Sequence, residues 1–119
     1  MIIVDTNFLI YLVKYRVVSV LEEHIKEIAV PSAVKKELKA LSEKAEKARD
    51  REAAKLALLI LDKWKIKEIH SEGNADDAII ELAVKNRAKV ATMDKMLGKR
   101  LENKGIKVIR LRQKKKLLM

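Results

Sequence analysis

The sequence predicts an α/β fold, a three-layer sandwich around a central parallel sheet of about five strands. Three observations carry this. Short apolar runs alternate with stretches of helical spacing along the chain. The first run, Ile2-Ile3-Val4, is short and continuously apolar, as a strand buried on both faces is. Cap and turn residues stand at the changes of period. Strand alternating with helix places helices on both faces of a parallel sheet.

The first stretch is MIIVDTNFLIY. Ile2, Ile3 and Val4 form a strand, and Phe8, Leu9, Leu12 and Val13 then recur at helical spacing. Asp5 therefore closes the strand, and Thr6 or Asn7 caps the helix. Residues 17–26 read as a second short helix and 27–30 as the second strand, ended by Pro31, with Ser32 as the next cap. Residues 33–47 form a helix with Val34, Leu38 and Leu41 as its stripe. Residues 49–64 form another, apolar nearly all round from Leu56 to Leu61, so more than one face should be covered. This pair exceeds what a crossover needs and offers a cap or a dimer surface. Residues 65–69 are the third strand, 71–73 a turn, and Asn74 caps a helix running to about residue 86. Residues 89–92 are the fourth strand. Met93 and Asp94 follow, then a helix over 95–104 stopped by Gly105. Residues 107–111 are the fifth strand and 112–119 a basic tail. No repeat or low-complexity linker divides the chain, so one domain over 1–119 is expected.

The chain has 119 residues and a formal net charge of +10, from 27 Lys+Arg against 17 Asp+Glu. That balance favours a polyanionic partner. With one Trp, two Tyr and one Phe, base-stacking platforms are few, and tracking of a phosphate backbone fits better. No cysteine is present, which excludes disulfides, Cys-ligated zinc and thiol nucleophiles. No apolar run approaches the roughly 20 residues needed to span a bilayer. No signal-peptide pattern leads the chain. A cytoplasmic protein without a membrane partner is expected. The Lys/Glu richness matches the composition reported for thermophile proteins.

Acids gather at the strand-to-helix junctions. Asp5 ends the first strand, Glu37 lies early in the helix after the second, Asp76 and Asp77 lie in the first turn after the third, and Asp94 follows the fourth. In an open parallel sheet, ligand sites lie beyond the carboxyl ends of the strands. Glu37 borders its helix's inward stripe. Asp76 is three residues before Ile79 and seven before Ala83, which puts it on an inward stripe, with Asp77 about 100° further round. Asp76 is thus the better ligand, with Asp77 as support or second ligand. Singly, each acid could be a helix cap or a response to the helix dipole. Together they would repel and raise one another's pKa unless a cation lay between them, and Mg²⁺ or Mn²⁺ suits carboxylate and water ligands. His24 reads as a surface residue, and His70 as a residue after the third strand that could approach the site. There is no Gly-rich phosphate loop and no Ser-His-Asp signal. The cations expected to hold a nucleic-acid strand are Lys95, Lys99, Arg100, Arg110, Arg112, Lys114, Lys115 and Lys116.

With VDTNFLIY, VPSAVKKEL, GNADDAIIELA and VATMDKMLGKRL in that order, the chain resembles a PIN-domain nuclease over nearly its whole length. The resemblance implies a parallel α/β sandwich and a divalent-metal site built by Asp5, Glu37, Asp76 and Asp94, with Asn7 and Thr92 (and Thr6 beside them) in support. It implies metal-dependent endoribonuclease activity on single-stranded RNA, with water attacking the phosphorus to leave a 5′-phosphate and a 3′-OH. Within the family the chain is similar to small archaeal proteins akin to ribosomal RNA-processing nucleases, and the toxin ribonucleases of toxin–antitoxin pairs share the same acids. A homodimer, with an antitoxin or a ribosomal partner, is the corresponding expectation. Two other classes compete: a PIN-like module that binds RNA without cutting it, and an aspartyl-phosphate receiver. The receiver would want an early Asp pair, whereas the adjacent pair here comes late.

Overall fold

The computed structural model describes residues 1–112 and 116–118, with side chains described as far as Leu111. The strands are β1 (Ile2–Val4), β2 (Ile28–Pro31), β3 (Lys67–Ile69), β4 (Lys89–Ala91), β5 (Val108–Arg112) and β6 (Lys116–Leu118). They form one sheet in the order β3-β2-β1-β4-β5-β6. All neighbours run parallel except β5 and β6. The helices are α1 (Thr6–Lys14), α2 (Ser32–Lys44), α3 (Ala48–Lys63), α4 (Ala75–Asn86) and α5 (Lys95–Asn103).

Apolar strand residues account for the centre. Ile2, Ile3 and Val4 of β1, Ile28, Ala29 and Val30 of β2, and Val90 and Ala91 of β4 are all buried. From β1 the chain steps outward through β2 to β3, then returns through α4 to lay β4 on the other side of β1. Right-handed crossovers then put α1, α2 and α3 on one face and α4 and α5 on the other. Consistent with this, α1, α2 and α3 pack on one another and α4 packs on α5. The order reverses between β1 and β4, and the crevice beyond their carboxyl ends is the place for a ligand.

Local chemistry adjusts several boundaries. Residues 17–26 do not form an α-helix; Val18–Glu27 is a 3₁₀ helix. Leu21 is its one buried residue among those described, so little packing holds a full helix there. Pro31 extends β2 instead of ending it, opposite Ile69 at the strand's last position. Lys65 belongs to the turn that closes α3, not to β3. It takes the left-handed conformation (φ +53), and Lys65 N–H donates to the Asp62 carbonyl and Ile66 N–H to the Leu61 carbonyl, both at 3.0 Å. That is a Schellman closure with a lysine where glycine is usual. The expected tail turns back in part as β6, with Leu111 opposite Leu117.

α3 is not apolar all round in its packing. Ala53, Ala54, Ala57 and Leu61 are buried, whereas Leu56 and Leu59 are 47% and 64% exposed. No helix among the described residues is long and apolar enough to cross a membrane.

Candidate active site

β1 delivers Asp5 to the crevice. Its N–H donates to the Ala91 carbonyl at 3.0 Å, the last rung between β1 and β4 before the strands part. Its backbone stays extended (φ −77, ψ 154), and Asp5 itself, rather than Thr6 or Asn7, is the cap of α1. One carboxylate oxygen accepts the Thr6 N–H at 2.7 Å. The other accepts the Thr92 hydroxyl at 2.8 Å. The residue is only 4% exposed.

β4 delivers the partner group. Thr92, fully covered, accepts the Asp94 N–H on the same hydroxyl oxygen at 3.1 Å. Asp94 then caps α5, one oxygen accepting from Met96 N–H at 2.8 Å and Leu97 N–H at 3.0 Å. Asp5, Thr92 and Asp94 thus form one hydrogen-bonded chain across the crevice.

Glu37 and Asp76 complete the arrangement by charge. Burial lifts the Asp5 carboxyl from 3.8 to about 6. Asp76 and Glu37 push it the same way, against the Thr92 and Thr6 hydrogen bonds. Glu37 and Asp76 are themselves exposed at the rim. The expectation that Asp76 lies on the inward stripe of its helix does not hold: Ala75, Ala78 and Ile79 take the buried positions. Asp76 is exposed, and its charge is felt at Asp5.

Asp77 is placed differently. It accepts from Arg100 at 3.1 Å and from the Asn74 side chain at 2.9 Å. Asn74 in turn accepts the Asp77 N–H at 2.9 Å, capping α4. The Asn74 and Arg100 hydrogen bonds hold the Asp77 carboxyl below its usual range. The strongest charges on Asp5 are those of Asp76 and Glu37.

The expected strand-binding cations divide. Lys95 and Lys99 are exposed and form no ion pair among the described residues. Arg100 is engaged by Asp77, and Arg110 lies 3.4 Å from Glu102. Gly98 gives Arg110 its room, since a Cβ there would stand 3.0 Å from the guanidinium. Lys114 and Lys115, and the side chains of Arg112 and Lys116, lie outside the described residues. His70 pairs with Glu72 at 3.5 Å, and His24 with Glu27 at 3.0 Å. Asn7 is exposed at the start of α1.

The donor set fits a hard divalent ion. Among the described residues no three acidic or histidine side chains form a closed ligand cluster. An open site still suits Mg²⁺ or Mn²⁺, because Mg²⁺ usually takes one or two carboxylates and keeps several waters. Asp5 brings a desolvated carboxylate that feels the charges of Asp76 and Glu37, a repulsion that a cation would relieve. Thr6 adds a buried hydroxyl with no hydrogen-bond partner among the described residues.

The family described as PIN like domain matches residues 2–114. The chain belongs to the PIN-like domain family. Two relatives of this PIN-like chain span nearly all of it. Ribonuclease VapC9 of Archaeoglobus fulgidus is 34% identical over 120 residues, covering 98% of this chain and 87% of the relative. Ribonuclease VapC4 of Methanocaldococcus jannaschii is 35% identical over 122 residues, covering 96% of this chain and 92% of the relative. A solved domain of a functionally unknown protein from Methanocaldococcus jannaschii shares the fold. Its TM-score is 0.61 at 18% identity, covering 93% of this chain and 90% of that one.

Proposed function

We propose that this PIN-like chain is a ribonuclease of the toxin type, hydrolysing phosphodiester bonds of single-stranded RNA with Mg²⁺ or Mn²⁺ held by Asp5, Glu37, Asp76 and Asp94. The observation that carries the reading is the Asp5–Thr92–Asp94 chain at the switch point, with the Glu37 and Asp76 charges bearing on Asp5. The names of both VapC relatives support RNA as substrate. They favour the toxin reading over ribosomal RNA processing, which finds no support in them.

The residues divide the work. Thr92 fixes one oxygen of Asp5 and the backbone of Asp94, so two acids just beyond the ends of β1 and β4 are tied through one hydroxyl. With its carboxyl near 6, Asp5 is mostly ionised at neutral pH. A divalent ion bound there would neutralise charge on the scissile phosphate and acidify the attacking water. Lys95, directly after Asp94, and Lys99, one turn further along α5, are exposed and take phosphates of the bound strand.

The same reading includes a homodimer and an antitoxin partner. Leu56 and Leu59, exposed together on α3, are two of the exposed apolar residues available for such contacts, beside Tyr15, Val84, Met93 and Met96 elsewhere. The deciding experiment is cleavage of single-stranded RNA with Mn²⁺ and with EDTA, beside a binding assay. Mn²⁺-dependent cutting supports the enzyme. Binding without cutting in any divalent ion supports the RNA-binding module instead.

A further inference from the structure

α2 begins without a cap of its own. Its cap position is Pro31, which has no side-chain acceptor, yet the first N–H groups of a helix need partners. The partner comes from another element. Ala33 N–H donates to the Ser71 hydroxyl oxygen at 3.0 Å, from 38 positions away. The relation is reciprocal. Ser71 N–H donates to the Ser32 hydroxyl oxygen at 2.8 Å, and the Ser32 hydroxyl donates to the Ser71 carbonyl at 3.1 Å. The two hydroxyl oxygens stand 3.2 Å apart. Ser32 thus does not cap its own helix; it clasps the segment after β3.

That segment needs a clasp. β3 is a three-residue edge strand with Lys67 and Glu68 exposed. Its other side-chain tie, Lys35 to Glu68 at 3.0 Å, is exposed, and such pairs contribute little. From the end of β3, α4 must travel back over the sheet to reach β4, and its first turn carries Asp76. Where the segment 70–74 sits therefore decides where Asp76 stands. Glu37 lies five residues beyond Ser32, and Asp76 five beyond Ser71. Neither acid makes a side-chain hydrogen bond or ion pair among the described residues, so the backbones beneath them set their separation.

We propose that Ser71, paired with Ser32, is a positioning residue that sets the gap between Glu37 and Asp76 and so the affinity of the acidic site for a divalent ion. This rests on the metal-dependent reading above. A purely structural clasp would alter stability alone.

Calorimetric titration of the full chain with Mn²⁺, well below the melting temperature and beside thermal melts, separates the two. Ser71→Ala is expected to weaken Mn²⁺ binding by about 10-fold or more, the scale seen when groups that orient metal ligands are removed. Ser71→Thr keeps the hydroxyl and is expected to restore affinity. Asn86→Ala removes the 2.8 Å bond from Asn86 to the Leu82 carbonyl at the far end of α4, so it should lower the melt and leave affinity alone. Wild-type affinity in Ser71→Ala, or an equal loss in Asn86→Ala, overturns the proposal. Wild-type protein that takes up no Mn²⁺ sinks the metal reading itself, and the clasp's role with it.

Discussion

The Thr92 hydroxyl meets the Asp5 carboxylate at 2.8 Å, joining residues 87 positions apart across the ends of β1 and β4. Because that hydroxyl also accepts the Asp94 N–H, one buried side chain fixes two acids at once. Thr92→Val keeps the shape and leaves an Asp5 oxygen and the Asp94 N–H without their partner. The expected cost is about 1–3 kcal/mol in a denaturant melt. The Thr92 bond also holds the Asp5 carboxyl down, so the variant's cleavage should rise with pH at a higher pH than wild type. Thr92→Ser should restore both. An unchanged pH profile would remove Thr92 from the site.

Asp5→Asn should abolish Mn²⁺-dependent cleavage and leave RNA binding in place. Its effect on stability has a definite sign. The folded carboxyl sits at about 6 against an ordinary 3.8. The folded state therefore favours the protonated form, and that contribution is present below about pH 4 and lost as pH rises through about 6. The rise corresponds to about 3 kcal/mol. In EDTA, Asn and wild type should melt together near pH 4. Near pH 7.5 the variant should melt higher, by up to about that amount. A variant less stable at neutral pH would show that Asp5 is not held against its charge.

Asp76→Asn and Asp77→Asn should part company. Asp76 acts on Asp5, so its loss should weaken Mn²⁺ binding and cleavage. Asp77 faces Arg100 in an exposed pair, so Asp77→Asn should cost under about 1 kcal/mol and keep activity. Calorimetry and cleavage on both variants check this. Equal damage from Asp77→Asn would put the wrong acid in the site.

Leu59→Glu tests assembly. At 64% exposure the leucine contributes little to the fold, so the melt should barely move. If α3 carries a dimer, light scattering should show wild type as a dimer and the variant as a monomer. A dimer surviving Leu59→Glu moves the interface elsewhere.

Much of this was legible in the sequence because it depends on local period. Ile2-Ile3-Val4 and Val90-Ala91 are apolar without alternation, which only a strand covered on both faces tolerates. The junction acids could be read for the same reason, since each follows a strand end. What depends on distant partners could not be read. A helical wheel puts Asp76 inward, whereas the residue is exposed and its charge is felt at Asp5. The choice between Asp76 and Asp77 turns on Arg100, a residue of another helix. β6 was hidden because Leu117-Leu118 after a lysine run looks like a tail until β5 is there to pair with it. Ser32 and Ser71 are small polar residues in ordinary turn positions, and no spacing rule links hydroxyls 39 positions apart.

The crossover pattern also divides the site between two halves of the chain. Asp5 and Glu37 precede the connection at residues 45–47, and Asp76 and Asp94 follow it. The two halves meet where Ala53, Ala54, Ala57 and Leu61 of α3 bury themselves against α1 and α2. A chain severed at that connection would carry half of the acids on each piece, with an apolar docking face ready to rejoin them. On the proposed reading neither piece alone would hold the ion or cut RNA, so cleavage would report the meeting of two polypeptides, as in a split reporter.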